Sequence, residues 1–171
     1  MGVLDSIKKL FKDPRLVTRF DDLEAGQLVV EGAVRLGDGE AMASPIKGQP
    51  CVAFFYTAAH QTPSRQASLQ VRPLRHVEIF APFELELDGG RIDAVPRVPG
   101  SFSREDHQKL AGAGYANFRA TEEVVPPRTR VRVWGVARRH GDRWTLTYRR
   151  IEKLGAERKA GKPGKPAKRK R

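Results

Sequence analysis

Cysteine is nearly absent: Cys51 is the single one in 171 residues. One thiol allows no internal disulfide and excludes a zinc site built from several cysteines. It lies in the apolar run Cys51-Val52-Ala53-Phe54-Phe55-Tyr56, where a thiol behaves as a small buried hydrophobe rather than a nucleophile. Long hydrophobic runs are missing too. No window approaches the roughly 18 apolar residues of a spanning helix. The N-terminal stretch lacks the apolar block and small-residue cleavage site of a secretory signal. These features predict a reducing compartment, most simply the cytoplasm. Metal-binding spacing is also lacking, since His60, His76, His107 and His140 are scattered. Neither a Gly-rich phosphate loop nor a nucleophile–base pattern occurs. Asp88 and Asp93 flank a hairpin turn and read as solvated turn residues. The expectation is a protein with no catalytic residues, no metal and no cofactor.

What the chain has in quantity is positive charge, and it is uneven. The net charge is +12. Eight basic residues and one acid fall within 154–171, so that tail carries +7 and the remainder only +5. Beyond Leu154 the tail holds mostly Lys, Arg, Gly, Pro and Ala without larger hydrophobics. It cannot bury apolar surface, which predicts a disordered basic segment over 153–171. At the other end, Val3, Leu4, Ile7, Leu10 and Phe11 fall at helical spacing, opposite Asp5, Lys8, Lys9 and Lys12. Asp13-Pro14 stops the pattern. This predicts a short amphipathic helix within 1–14. It is too short to stand alone in water, so it docks on its own domain or on lipid.

Between the two ends, 20–152 reads as strands. The clearest stretch is Arg128–Ile151. Val131 and Val133 alternate with Arg130 and Arg132; after His140-Gly141-Asp142, Trp144, Leu146 and Tyr148 alternate with Arg143, Thr145, Thr147 and Arg149. Period two around a Gly-containing turn is a hairpin. Phe83, Leu85 and Leu87 alternate with acids up to Asp88-Gly89-Gly90, and Arg91–Val95 returns, a second hairpin. Leu28, Val30, Val34 and Leu36 share one side of an earlier strand, in which Gly32 predicts a bulge or bend. Cys51–Ala59 is apolar on both faces, as a central strand is. A polar loop is expected over His60–Ser68, and Pro73 marks an edge or bulge in the strand that follows. Ser103 with Asp106 three residues on caps a short helix ending near Gly112. The fold class expected is mainly β: a small OB-like β-barrel of about seven short strands with one inserted short helix.

Three stretches in order resemble the GIDE domain, also called BAM ("beside a membrane"). They are Ala43-Ser44-Pro45-Ile46-Lys47-Gly48-Gln49-Pro50-Cys51-Val52-Ala53-Phe54-Phe55, then Pro82–Asp93, then Glu122-Glu123-Val124-Val125-Pro126-Pro127-Arg128-Thr129-Arg130-Val131-Arg132-Val133-Trp134-Gly135. The resemblance covers about residues 27–152. It implies a barrel positioned at a membrane surface, as in mitochondrial E3 ubiquitin ligases. Ubiquitin transfer does not carry over, because one cysteine cannot build the zinc-binding RING of those ligases.

Two functional expectations result. The first is a non-enzymatic binding or adaptor module peripheral to a membrane. Val3, Leu4, Ile7, Lys8, Lys9, Leu10, Phe11 and Lys12 would contact lipid, and the basic tail would contact anionic partners. The alternative is an OB-like nucleic-acid-binding protein with a basic arm. It would use Arg130, Arg132, Trp134 and Arg138, which share one parity, with Lys168, Arg169, Lys170 and Arg171. Against the second stands the possibility that Trp134 marks a rim where Val136 turns inward. A protein partner is compatible with either.

Overall fold

The structure is a computed structural model that describes residues 14–37, 39–63 and 69–155. The helix expected before Pro14, the membrane-contact candidates Val3 to Lys12, and the tail residues Lys168 to Arg171 all lie outside them.

Eleven strands, one α-helix and a 3-10 turn make up the described chain. In order, they are β1 (Arg15–Val17), the turn Phe20–Asp22, β2 (Gly26–Arg35), β3 (Met42–Ala43), β4 (Pro50–Cys51), β5 (Ala53–Pro63) and β6 (Leu69–Phe80). There follow β7 (Phe83–Leu87), β8 (Gly90–Pro96), α1 (Arg104–Ala111), β9 (Arg119–Val125), β10 (Arg130–His140) and β11 (Arg143–Lys153). Five of the strands close a barrel in the order β2-β10-β11-β8-β7, with β7 returning to β2. The pairs are antiparallel except β8 with β11, which run parallel. The short β1 adds to β2 in parallel, outside the ring.

Alternation explains the barrel. Val30, Val34, Leu85, Ile92, Val131, Val133, Leu146 and Tyr148 all point inward and are buried. Their neighbours in sequence, mostly Arg, Glu and Thr, point out. Because side chains alternate at every residue, a slip of one position would drive this apolar set into water, which fixes the register. Tyr148 brings a hydroxyl into that core and donates it to the carbonyl of Ala81 at 2.8 Å, so the buried group stays satisfied.

Gly32 departs from the expected bulge: β2 pairs with β10 in continuous register through it. A Cβ there would lie 2.4 Å from the Glu86 carbonyl oxygen. The glycine therefore permits the close backbone approach by which β2 joins both β7 and β10. The bulge of the barrel lies instead between Trp134 and Gly135. A Cβ on Gly135 would meet the Thr147 carbonyl at 2.6 Å.

The strand count also exceeds the expected seven, because a second sheet, β6-β5-β9, stands beside the barrel. Of the stretch Cys51–Ala59, Ala53–Ala59 is central, as its two apolar faces require, but central to this sheet and not to the barrel, while Cys51 belongs to β4, paired with β3. The ladder of β5 with β6 continues through His60 to Pro63, the described part of the stretch read as a loop. Backbone pairing tolerates polar side chains where neither face is deeply buried. Pro73 sits on β6, an edge strand, at a register shift opposite Ala58 and Ala59, as its missing N–H predicts. The sheet packs its Phe54–Tyr56 side against α1, with Phe102, Leu110 and Phe118 closing a second core. Ser103 caps that helix reciprocally with Asp106 and Gly112 ends it, as expected.

β9 escaped the sequence reading, and a carboxylate is the reason. Glu122 shares the inward parity of Ala120 and Val124, which breaks the apolar alternation. Its oxygens accept from Ser44 Oγ (3.0 Å), the Ile46 amide (2.8 Å) and the Lys47 amide (2.8 Å). The Ser44–Gln49 turn is thereby tied to β9. Cys51 lies fully buried nearby. Burial, helped by the Glu122 charge, pushes its thiol up to about 11. This suits a packing role.

Candidate functional site

The outer surface of the barrel is divided by charge. On the β7–β8 wall, acids and arginines are matched: Glu86 with Arg35 (2.6 Å), Glu84 with Arg91 (3.3 Å), and Asp93 with Arg143 (3.0 Å). Asp88 and Asp93, which flank the turn in sequence, thus hold separate arginines, since Asp88 faces Arg19 at 3.9 Å. Among the described residues no cluster of His, Cys, Asp and Glu could hold a metal ion.

The wall formed by β2, β10 and β11 is different. Arg130, Arg132, Trp134, Val136 and Arg138 all project outward from β10. Val136 is 36% exposed, so the inward turn considered for it does not occur; Ala137 occupies the inward position. The four polyanion-contact candidates are brought onto one face but are not equally available. Arg132 donates from Nε to Glu31 Oε1 at 2.7 Å. Trp134 lies under the guanidinium of Arg150, 4.4 Å from the ring centroid, an arrangement worth about 0.5–1 kcal/mol at a surface. Arg130 and Arg138 are exposed, and among the described residues neither has a carboxylate within ion-pair distance.

Beside Trp134 is a shallow depression. Pro14, Trp134, Val136 and Thr147 line it together with Arg97 and Arg149. The bulge creates it. Trp134 pairs with Arg150 and Gly135 with Tyr148, leaving Arg149 as the extra residue between them. Two successive arginines, Arg149 and Arg150, therefore stay exposed between the inward Tyr148 and Ile151. Bulges commonly re-aim a side chain in this way. Arg97 arrives from β8, its amide donating to the Tyr148 carbonyl at 2.7 Å. Main-chain bonds thus hold the two arginines side by side. Neither Arg97 nor Arg149 was singled out in the sequence. The signal that could have found Arg149 is the pair Arg149-Arg150, which interrupts strict alternation before Ile151.

Both ends of the described chain lie on this wall. Pro14 lines the depression at the Val136 end. After β11, the Leu154 amide donates to the Arg130 carbonyl at 2.9 Å. The two points are six residues apart along β10, about 20 Å at strand rise. No described helix is long and apolar enough to cross a membrane. Comparison with protein-family models, with curated proteins and with solved structures gives no match.

Proposed function

We propose that this protein is a non-enzymatic adaptor barrel held peripherally at an anionic membrane surface, with the β2–β10–β11 wall turned toward the lipid. One observation carries the reading. The wall with unmatched arginines is also the wall from which residues 1–13 and 156–171 depart. The apolar stripe Val3, Leu4, Ile7, Leu10 and Phe11, with Lys8, Lys9 and Lys12, would enter the interface beside Trp134. The tail cations Lys168, Arg169, Lys170 and Arg171 would approach the same plane from the Arg130 end. Each basic residue near such a surface contributes up to about 1 kcal/mol, so burial of the stripe and charge act together without a spanning helix. The resemblance to the GIDE domain points the same way.

Flotation of the full chain with anionic liposomes tests this. The protein should rise with the vesicles, and deletion of residues 1–12 should leave most of it behind. Full-length protein that stays at the bottom, or a deletion with no effect, would sink the proposal.

The OB-like nucleic-acid reading draws support from the strand order. The first barrel strand joins the second and the fourth, and the third runs parallel to the fifth, as in a five-stranded Greek-key barrel. It is the weaker reading. Such barrels bind along their second and third strands, here β7 and β8, where Arg35, Arg91 and Arg143 are already matched by Glu86, Glu84 and Asp93 and offer phosphates no surplus positive charge. On the opposite wall, Arg132 and Trp134 are already engaged. If a tailless protein lacking 154–171 still bound single strands, the order of the two readings would reverse.

A further inference from the structure

We infer that the depression between Arg97 and Arg149 is a phosphate subsite that takes a phosphomonoester group, as on an anionic lipid headgroup. The inference rests on the membrane-facing reading of this wall but concerns a specific site within it. Three features converge. Two exposed guanidiniums share one depression, and among the described residues neither has a carboxylate within ion-pair distance. Arginine forks match phosphate oxygens in paired hydrogen bonds, and two of them balance a dianion. The main chain pins both to one peptide: Arg97 bonds the Tyr148 carbonyl, and Arg149 follows directly in the bulge. Little ordering of the backbone is then left for binding to impose. Finally, most of the remaining lining is apolar or aromatic, Pro14, Leu28, Trp134 and Val136, with Gln27 and Thr147 as its polar members. A phosphate attached to an apolar body fits that mixture better than a bare ion does.

The β7–β8 wall supplies the contrast. There, Arg35, Arg91 and Arg143 each face a carboxylate, so they have no spare charge for a ligand.

The experiment uses the full chain, with Arg97→Gln, Arg149→Gln and, as a control on the other wall, Arg91→Gln. Binding is measured to phosphatidic acid vesicles and to phosphatidylserine vesicles matched in surface charge. In parallel, NMR titration follows amide shifts as free glycerol 3-phosphate is added. The wild type should prefer phosphatidic acid. Arg97→Gln and Arg149→Gln should each weaken that binding about tenfold, the scale of losing a charge-assisted hydrogen bond, lower phosphatidylserine binding by no more than about fivefold, the scale of one surface cation, and leave the thermal midpoint unchanged. Arg91→Gln should change nothing.

A saturable response to glycerol 3-phosphate that depends on Arg97 and Arg149, without vesicle preference, supports the subsite with a soluble source. If flotation also fails, the membrane reading falls and the subsite stands. Equal binding to both vesicle types, together with no arginine-dependent response to free phosphate, overturns the inference. Flotation could persist in that case, and the membrane reading would survive it.

Discussion

The two walls of the barrel use the same side chain for opposite purposes. On β7–β8, arginine completes cross-strand pairs with Glu84, Glu86 and Asp93, and the surface is close to neutral. On β10–β11, arginines outnumber acids; Glu31 takes Arg132, Glu152 and Trp134 share Arg150, and among the described residues Arg97, Arg130, Arg138 and Arg149 have no carboxylate within ion-pair distance. Arginine content alone therefore says little about binding. What matters is which arginines lack a counter-charge and whether they lie together. Exposed matched pairs contribute only a few tenths of a kcal/mol to stability, but they remove charge from the surface that a ligand meets.

The strongest way to break the comparison is to separate the walls. Gly32 lies on β2, which joins them, and its Cβ would sit 2.4 Å from the Glu86 carbonyl. Gly32→Ala should cost about 3 kcal/mol in chemical denaturation, the upper range for overpacking, and blur both surfaces at once. Wild-type stability would show that the strands can part there without loss.

Removal of the Tyr148 hydroxyl acts from inside the barrel. Tyr148→Phe leaves the Ala81 carbonyl without its side-chain donor, and should lower stability by about 1–2 kcal/mol. Its ring contacts with Phe80 and Phe83 are retained, so the charge on both walls should stay as it is, read by unchanged salt elution from heparin.

Sharpening the charge difference should have a smaller effect on folding and a visible one on binding. Glu31→Gln frees Arg132. It should cost about 1 kcal/mol or less and delay elution from heparin to higher salt, since one more cation becomes available. Elution at an unchanged salt concentration would mean that this wall does not meet polyanions.

The smallest effect is a titration on the other wall. The Arg35 hydrogen bond holds the Glu86 carboxyl below its ordinary value of 4.5. A depressed carboxylate contributes stability above its unfolded pKa and loses it as pH falls through the folded value. Acid weakening from this pair should therefore be confined to pH below 4.5. Arg35→Gln should return Glu86 to its ordinary range, seen by carbon-detected NMR titration. An unshifted Glu86 in that variant would mean that the ion pair is absent in solution.

How much of this was legible in the chain depends on how strongly one face of each strand is buried. Arg128–Ile151 and Phe83–Val95 announce themselves because Val, Leu and Tyr alternate cleanly with Arg, Glu and Thr. The helix after Ser103 is carried by its capping pair. β9 was hidden because an inward position is Glu122, used as a clamp on the Ser44–Gln49 turn. β1 is three residues long, too short for any period. The far halves of β5 and β6 carry polar residues on a ladder held mainly by main-chain bonds. On the β10 wall, parity placed Arg130, Arg132, Trp134 and Arg138 on one face, as the strand shows, and did not bring Arg97 and Arg149 beside them. Arg97 reaches the site through the parallel pairing of β8 and β11, strands separated by about 50 residues of chain. No local pattern encodes that neighbour.

The sequence by itself determined which residues face inward, where the main turns fall and how unevenly charge is spread, because these follow from side-chain period, glycine placement and composition. Tertiary structure alone decided which arginines are neutralised and which stand free. For Arg35, Arg132 and Arg143 the counter-charge, Glu86, Glu31 and Asp93 in turn, is supplied by a strand distant in sequence, and only closure of the barrel chooses that strand.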